Sequence, residues 1–115
     1  MTLPGAAAAI VDPAKVRDYL LSPDHPIGHA KARFFTSLGF THEHWPELRD
    51  ALLRLAQTAD AEPEPESPFG QKYILRGIIE GPGATERRAV VETVWIVLTG
   101  ETAPRLVTAY PGDRR

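Results

Sequence analysis

Gln71-Lys72-Tyr73-Ile74-Leu75-Arg76-Gly77-Ile78-Ile79-Glu80 and, beyond Gly81-Pro82-Gly83, Arg88-Ala89-Val90-Val91-Glu92-Thr93-Val94-Trp95-Ile96-Val97-Leu98 decide the fold. In the first run Tyr73, Leu75, Gly77 and Ile79 alternate with Lys72, Ile74, Arg76, Ile78 and Glu80. That is the period of a strand, with the first set as its core face. The second run is β-branched and apolar on both faces, as expected of a strand inside a sheet. Thr99-Gly100-Glu101 then turns the chain, and Arg105 to Tyr110 reads as a third strand closed by Pro111 and Gly112. Short connections between neighbouring strands predict an antiparallel meander.

Upstream, the period changes from two to three or four. Asp12 before Pro13 is an N-cap with proline at the first helical position, followed by Val16, Tyr19 and Leu20 at helical spacing. That helix ends by Ser22, because Pro23 disfavours helical geometry in the residue before it. Pro26 opens a second helix with His25 near its cap, and Gly39 stops it after Leu38. Its apolar stripe is Ile27, Phe34, Phe35 and Leu38, with Lys31 in the middle. A third helix starts near Thr41 or His42, takes Pro46 in its first turn, and carries Trp45, Leu48, Leu52, Leu55 and Ala56 to Thr58.

The whole predicts one α+β domain over 1–115, with about three N-terminal helices packed on a C-terminal antiparallel meander of at least three strands. Residues 1–11 are an extended lead-in that packs Ile10 and Val11, 12–59 the helical half, and 70–111 the sheet. Residues 60–69 form an acidic, proline-rich and solvated loop, and 112–115 are a tail. At 115 residues, with 43% hydrophobic and 24% charged, the chain suits one core. It has no internal repeat.

Composition excludes several classes of function. The chain has no cysteine, which removes disulfides, thiolate metal sites and cysteine nucleophiles. Its longest apolar run is too short to span a bilayer, and the alanine-rich start has no basic residue before it. No membrane association and a cytoplasmic location are expected. Phosphate-binding glycine loops, dinucleotide fingerprints and nucleophile elbows are absent from the sequence. The net charge of −2 gives no general attraction to nucleic acid. Yet outside the four acidic residues of 59–68 the chain carries 13 basic and 11 acidic side chains, with Arg87 and Arg88 adjacent and Arg114 and Arg115 at the end.

Four histidines, His25, His29, His42 and His44, invite a metal reading. His25 and His29 are spaced for one helix face, but Pro26 and Gly28 place the helix start between them and no third ligand is at hand. Neither a metal nor another cofactor is expected. His25 with Lys31 is the more useful pair: a near-neutral base or acid, and a fixed cation on the same short stretch. Thr108 and Tyr110 on the last strand offer oxygens to a phosphate, and Thr93 and Trp95 on the middle strand offer a hydroxyl and a ring for stacking. Each has an ordinary alternative. His25 can stabilise its turn, Lys31 can lay its methylenes on the core, and the strand residues are common strand formers. The residues themselves therefore lead no further than a polar site where helix meets sheet.

The block from Tyr19 to Phe40, Tyr19-Leu20-Leu21-Ser22-Pro23-Asp24-His25-Pro26-Ile27-Gly28-His29-Ala30-Lys31-Ala32-Arg33-Phe34-Phe35-Thr36-Ser37-Leu38-Gly39-Phe40, resembles the opening of a small bacterial domain. That domain occurs alone and at the C-terminal ends of polymorphic, contact-dependent toxins. Val94-Trp95-Ile96 and Arg105-Leu106-Val107-Thr108-Ala109-Tyr110-Pro111 are similar to its final strands. Such tails are associated with the barnase, EndoU, colicin and RelE group of metal-independent ribonucleases. The resemblance implies RNA as substrate, with His25, Lys31, Thr108 and Tyr110 as catalytic residues; His29, Thr93 and Trp95 stand beside them as the candidate substrate-binding residues. In that reading His25 is a general base or acid, Lys31 holds the phosphate and the two hydroxyls orient it. Two alternatives stand beside it: a non-catalytic module that binds a protein partner such as an immunity protein, and a homodimer built through a sheet edge. The sequence leaves the oligomeric state open.

Overall fold

The structure, a computed structural model, describes residues 1–26, 29–83 and 87–112. Ile27 of the expected apolar stripe, Gly28 at the expected helix start, and the terminal Arg114 and Arg115 lie outside the described residues.

The chain opens with Leu3 and Ala6 buried and a 3-10 turn at Ala6–Ala8. Val11 is buried as expected, while Ile10 stays exposed and pairs its backbone with the start of the last strand. Asp12 Oδ1 accepts the Ala14 amide at 2.9 Å and starts α1 (Pro13–Lys15). The helix passes into a π-helical turn, Val16–Leu20, closed by the Leu21 amide on the Val16 carbonyl at 3.0 Å. Helix α2 (His29–Ser37) buries Ala32 and Phe35, and Gly39 ends it at φ 105° with the Phe40 amide returning to the Phe35 carbonyl. Helix α3 (Trp45–Thr58) begins three or four residues later than its period suggests. Thr41 Oγ1 accepts the His44 amide at 3.2 Å and holds a turn there, and the helix starts beside Pro46. Its buried face is Leu48, Ala51, Leu52, Leu55 and Ala56.

The sheet has four antiparallel strands in the order β1 (Ala61–Pro63), β2 (Gly70–Glu80), β3 (Arg88–Leu98), β4 (Arg105–Pro111). The α+β architecture and the meander are as the sequence predicts. Strand β1 is not: it falls within the stretch expected to be wholly solvated. Ala61 is small and apolar, turns inward to 3% exposure and pairs with Leu75, while Glu62 to Glu66 stay exposed. Helix α3 packs on β2, where Gly77 leaves room for Leu55 and Ala59. Helix α2 packs against β4, so the junction of α2, β4 and the π-helical turn is built from three separate parts of the chain.

Candidate functional site

Val16 and Leu20 are fully buried, so Tyr19, on the same face of the π-helical turn, leans on the core with its hydroxyl at the rim. Turns of this wide kind occur often at functional sites. Lys31 is one helical turn before the buried Phe35, so its stem follows the packed face of α2 and its amine is carried inward. The amine donates to the Tyr19 hydroxyl at 3.1 Å. It lies 5.3 Å from the ring centroid, which places it beyond the oxygen and not over the ring face. Lys15 Nζ is 5.6 Å from the same ring. The His25 ring meets the Tyr19 ring edge-on, at 4.9 Å between centroids and 90°.

Thr108 completes the group from β4. Its Oγ1 is sealed from solvent and makes no hydrogen bond of ordinary geometry among the described residues, yet it is close enough to the phenol to favour its ionised form. The Tyr19 phenol accordingly ionises more readily than a free tyrosine. The Lys31 hydrogen bond is the main cause, the Thr108 hydroxyl and the charges of Lys31 and Lys15 add to it, and burial opposes it.

The structure thus brings His25, Lys31 and Thr108 together, and the residue that joins them is Tyr19, which the sequence marks only by its helical spacing with Val16 and Leu20. Its signal was present in the spacing: a phenol on the face shared by Val16 and Leu20 needs a partner for its oxygen once that face is buried. Tyr110, two residues along β4 from Thr108, is tied up elsewhere. Its hydroxyl donates to Glu92 Oε1 at 2.8 Å, and Glu92 Oε2 is 3.9 Å from Arg76 Nη1. Burial, followed by the hydrogen bond and charge of Glu92, makes the Tyr110 phenol harder to ionise.

His29 is exposed at the start of α2, with Nδ1 3.3 Å from the His25 carbonyl. Thr93 and Trp95 require a correction. Both are 0% exposed on the core face of β3, where the indole Nε1 donates to Thr93 Oγ1 at 2.8 Å and Thr93 Oγ1 donates to the Leu75 carbonyl at 3.3 Å. A strand apolar on both faces does not reveal which face is covered, and here the helices cover this one. No ligand reaches that ring to stack on it. The adjacent Arg87 and Arg88 are also engaged: Arg87 donates to the Ser37 carbonyl at 3.2 Å, and Arg88 is 3.9 Å from Glu80. No three His, Asp or Glu side chains gather as a metal-binding group, and no helix is long and apolar enough to cross a membrane, among the described residues.

What the fold and the cluster define is a small α+β domain with a tyrosine–lysine–histidine group at the meeting of helix and sheet. The chain belongs to the family described as Domain of unknown function (DUF6883), whose model matches residues 2–113. Among solved structures it is similar to a chain of the "Contact-dependent growth inhibition toxin - immunity protein complex from Klebsiella pneumoniae 342". The TM-score is 0.72 over 96% of this chain and 98% of that one, at 15% identity. At that identity the likeness is one of fold. No curated protein matches the chain by sequence.

Proposed function

We propose that this domain is a toxin-related ribonuclease that cleaves RNA phosphodiesters through the 2′-hydroxyl. The observation that carries the reading is the contact of Lys31 with Tyr19, with His25 on one side of the ring and the Thr108 hydroxyl near the phenol. The fold shared with a chain of a toxin–immunity complex supports it.

The chemistry needs a base for the 2′-hydroxyl, an acid for the leaving 5′ oxygen, and donors for the charge that grows on the phosphate. The His25 imidazole takes the 2′ proton, and the 2′ oxygen attacks phosphorus. The bond from phosphorus to the 5′ oxygen then breaks, and the Tyr19 phenol, made a better acid by Lys31, gives its proton to that oxygen. An ammonium has three hydrogens to donate, so Lys31 serves the phenol and a non-bridging phosphate oxygen at once, while the buried Thr108 Oγ1 supports the phenol from behind. The products are a 2′,3′-cyclic phosphate and a 5′-hydroxyl, and water carries the proton that His25 gained to the Tyr19 phenolate, which restores both groups. His29, exposed at the start of α2 beside the His25 carbonyl, is a contact to the rest of the RNA.

Incubation of the purified protein with total RNA in the presence of a chelator tests this. Cleavage by the parent and not by His25→Ala is expected. RNA left intact by both would favour the second reading, a non-catalytic module that holds a protein partner of the immunity type. The net charge of −2 and the exposed Glu62, Glu64 and Glu66 are the observations on that side.

A further inference from the structure

Pairing between β1 and β2 stops at Ala61 with Leu75, yet β2 runs on to Glu80 with β3 along its other side. Antiparallel strands aim the backbone groups of successive residues at opposite edges. The Lys72 carbonyl points to the β1 side, where it accepts the Glu64 amide at 2.9 Å. By the same alternation Ile78 and Glu80 aim their amide and carbonyl groups at that edge, beyond the end of β1. A groove of about 550 Å³ lies there between residues 76–80 and the α3 side chains Ala51, Arg54 and Leu55. Ile78 beside it is 62% exposed.

We propose that a second copy of this chain occupies this edge, pairing antiparallel about a two-fold axis at Ile78 and joining the two sheets into one of eight strands. The pattern Arg76, Ile78, Glu80 reverses its charge about Ile78, which makes it complementary to itself in that arrangement and no other. Ile78 meets the partner's Ile78, and each is flanked by its own Val90, the neighbour of Ile78 in the β2–β3 register. Arg76 meets the partner's Glu80, and Glu80 meets the partner's Arg76. The register within one chain extends these rows, because Arg76 stands opposite Glu92 and Glu92 opposite Tyr110, while Glu80 stands opposite Arg88. One row therefore reads Tyr110, Glu92, Arg76, the partner's Glu80, the partner's Arg88, with the signs alternating from Glu92 onward.

Opposite charges and β-branched pairs directly across strands stabilise a sheet, and a closed two-fold contact leaves no further edge of this kind open. The contact is far smaller than the roughly 800 Å² per partner of a standard stable interface, so the dimer depends on concentration. It is independent of the ribonuclease reading, since no residue of the Tyr19 cluster takes part.

Sedimentation equilibrium of the full chain from about 10 to about 500 µM tests it. The mass is expected to rise from 12.6 kDa towards twice that value. Glu80→Arg places arginine against arginine, Arg76→Glu places glutamate against glutamate, and each variant alone stays monomeric over the range. An equimolar mixture of the two restores both opposite-charge contacts and recovers the dimer. Ile78→Lys, a change at an exposed position, gives a monomer with the parent's near-ultraviolet circular dichroism. A parent that stays monomeric throughout, variants that dimerise as well as the parent, or a mixture that fails to recover would each overturn the proposal. A parent monomer that nonetheless captures a foreign strand at Ile78 would overturn it in favour of a different occupant.

Discussion

Lys31 Nζ lies 3.1 Å from the Tyr19 hydroxyl and joins two residues 12 apart in the chain, one from the π-helical turn and one from α2. The contact sets the acidity of the phenol, which is held below its ordinary range chiefly by this hydrogen bond. Replacing Lys31 by Met keeps the apolar stem and removes the donor and its charge. The Tyr19 pKa is then expected to rise, read by ultraviolet difference titration or by the ring resonances. In the parent, Tyr19 titrates before Tyr110, which burial and Glu92 shift the other way. A Tyr19 titration unchanged in Lys31→Met would show that the amine does not act on the phenol.

Cleavage should fall as pH rises through the depressed Tyr19 pKa, because the proposed acid is then already deprotonated. The alkaline limb of the rate profile moves to higher pH in Lys31→Met, together with the titration. A limb that stays in place in this variant would assign it to another group.

Thr108→Val separates stability from function. The change is close in volume and removes a hydroxyl that is buried without an ordinary hydrogen bond, so stability should hold or rise by about 1 kcal/mol in urea denaturation. Loss of the hydroxyl that favours the ionised Tyr19 phenol should raise the Tyr19 pKa and move the alkaline limb of the cleavage profile to higher pH with it. Lower stability with unchanged cleavage would make Thr108 a structural residue only.

The Thr93 and Trp95 pair belongs to the core. Thr93→Val leaves the buried Trp95 N–H without its acceptor and should cost about 1–3 kcal/mol, measured by thermal or urea unfolding. Cleavage per folded molecule should be unchanged. A selective loss of activity would return these two residues to the site.

Tyr110 governs stability at alkaline pH. Its folded pKa is raised above the unfolded value near 10, so its contribution is complete below that value and is lost as pH climbs through the folded pKa. Tyr110→Phe should flatten the alkaline part of the stability curve. An unchanged curve would place the loss on other groups.

The sheet was legible because its two long strands state their periods openly, alternating over 71–80 and apolar on both faces over 88–98. β1 was not, since three residues of an acidic, proline-rich segment become a strand only through Ala61 and the waiting edge of β2. The start of α3 depended on a side-chain cap from Thr41 that competes with the helix for the same residues. In the site, Lys31 was visible as a charge inside an apolar stripe, and Thr108 as a hydroxyl on the last strand. Tyr19 escaped because a ring at helical spacing reads as core, and the partner that makes its oxygen functional arrives from the next helix. Thr93 and Trp95 were placed in the site because the sequence does not say which face of a doubly apolar strand the helices cover.

Single-turnover cleavage of an end-labelled RNA in chelator, parent beside Tyr19→Phe, tests the central claim most directly. Phenylalanine keeps the ring that packs against His25 and removes only the hydroxyl that Lys31 holds. The expected result is a cyclic phosphate end from the parent and a rate about 100-fold or more lower in the variant, the usual contribution of a general acid. Equal rates for the two proteins, or parent products with other ends, would contradict the assignment of Tyr19 as the acid of this site.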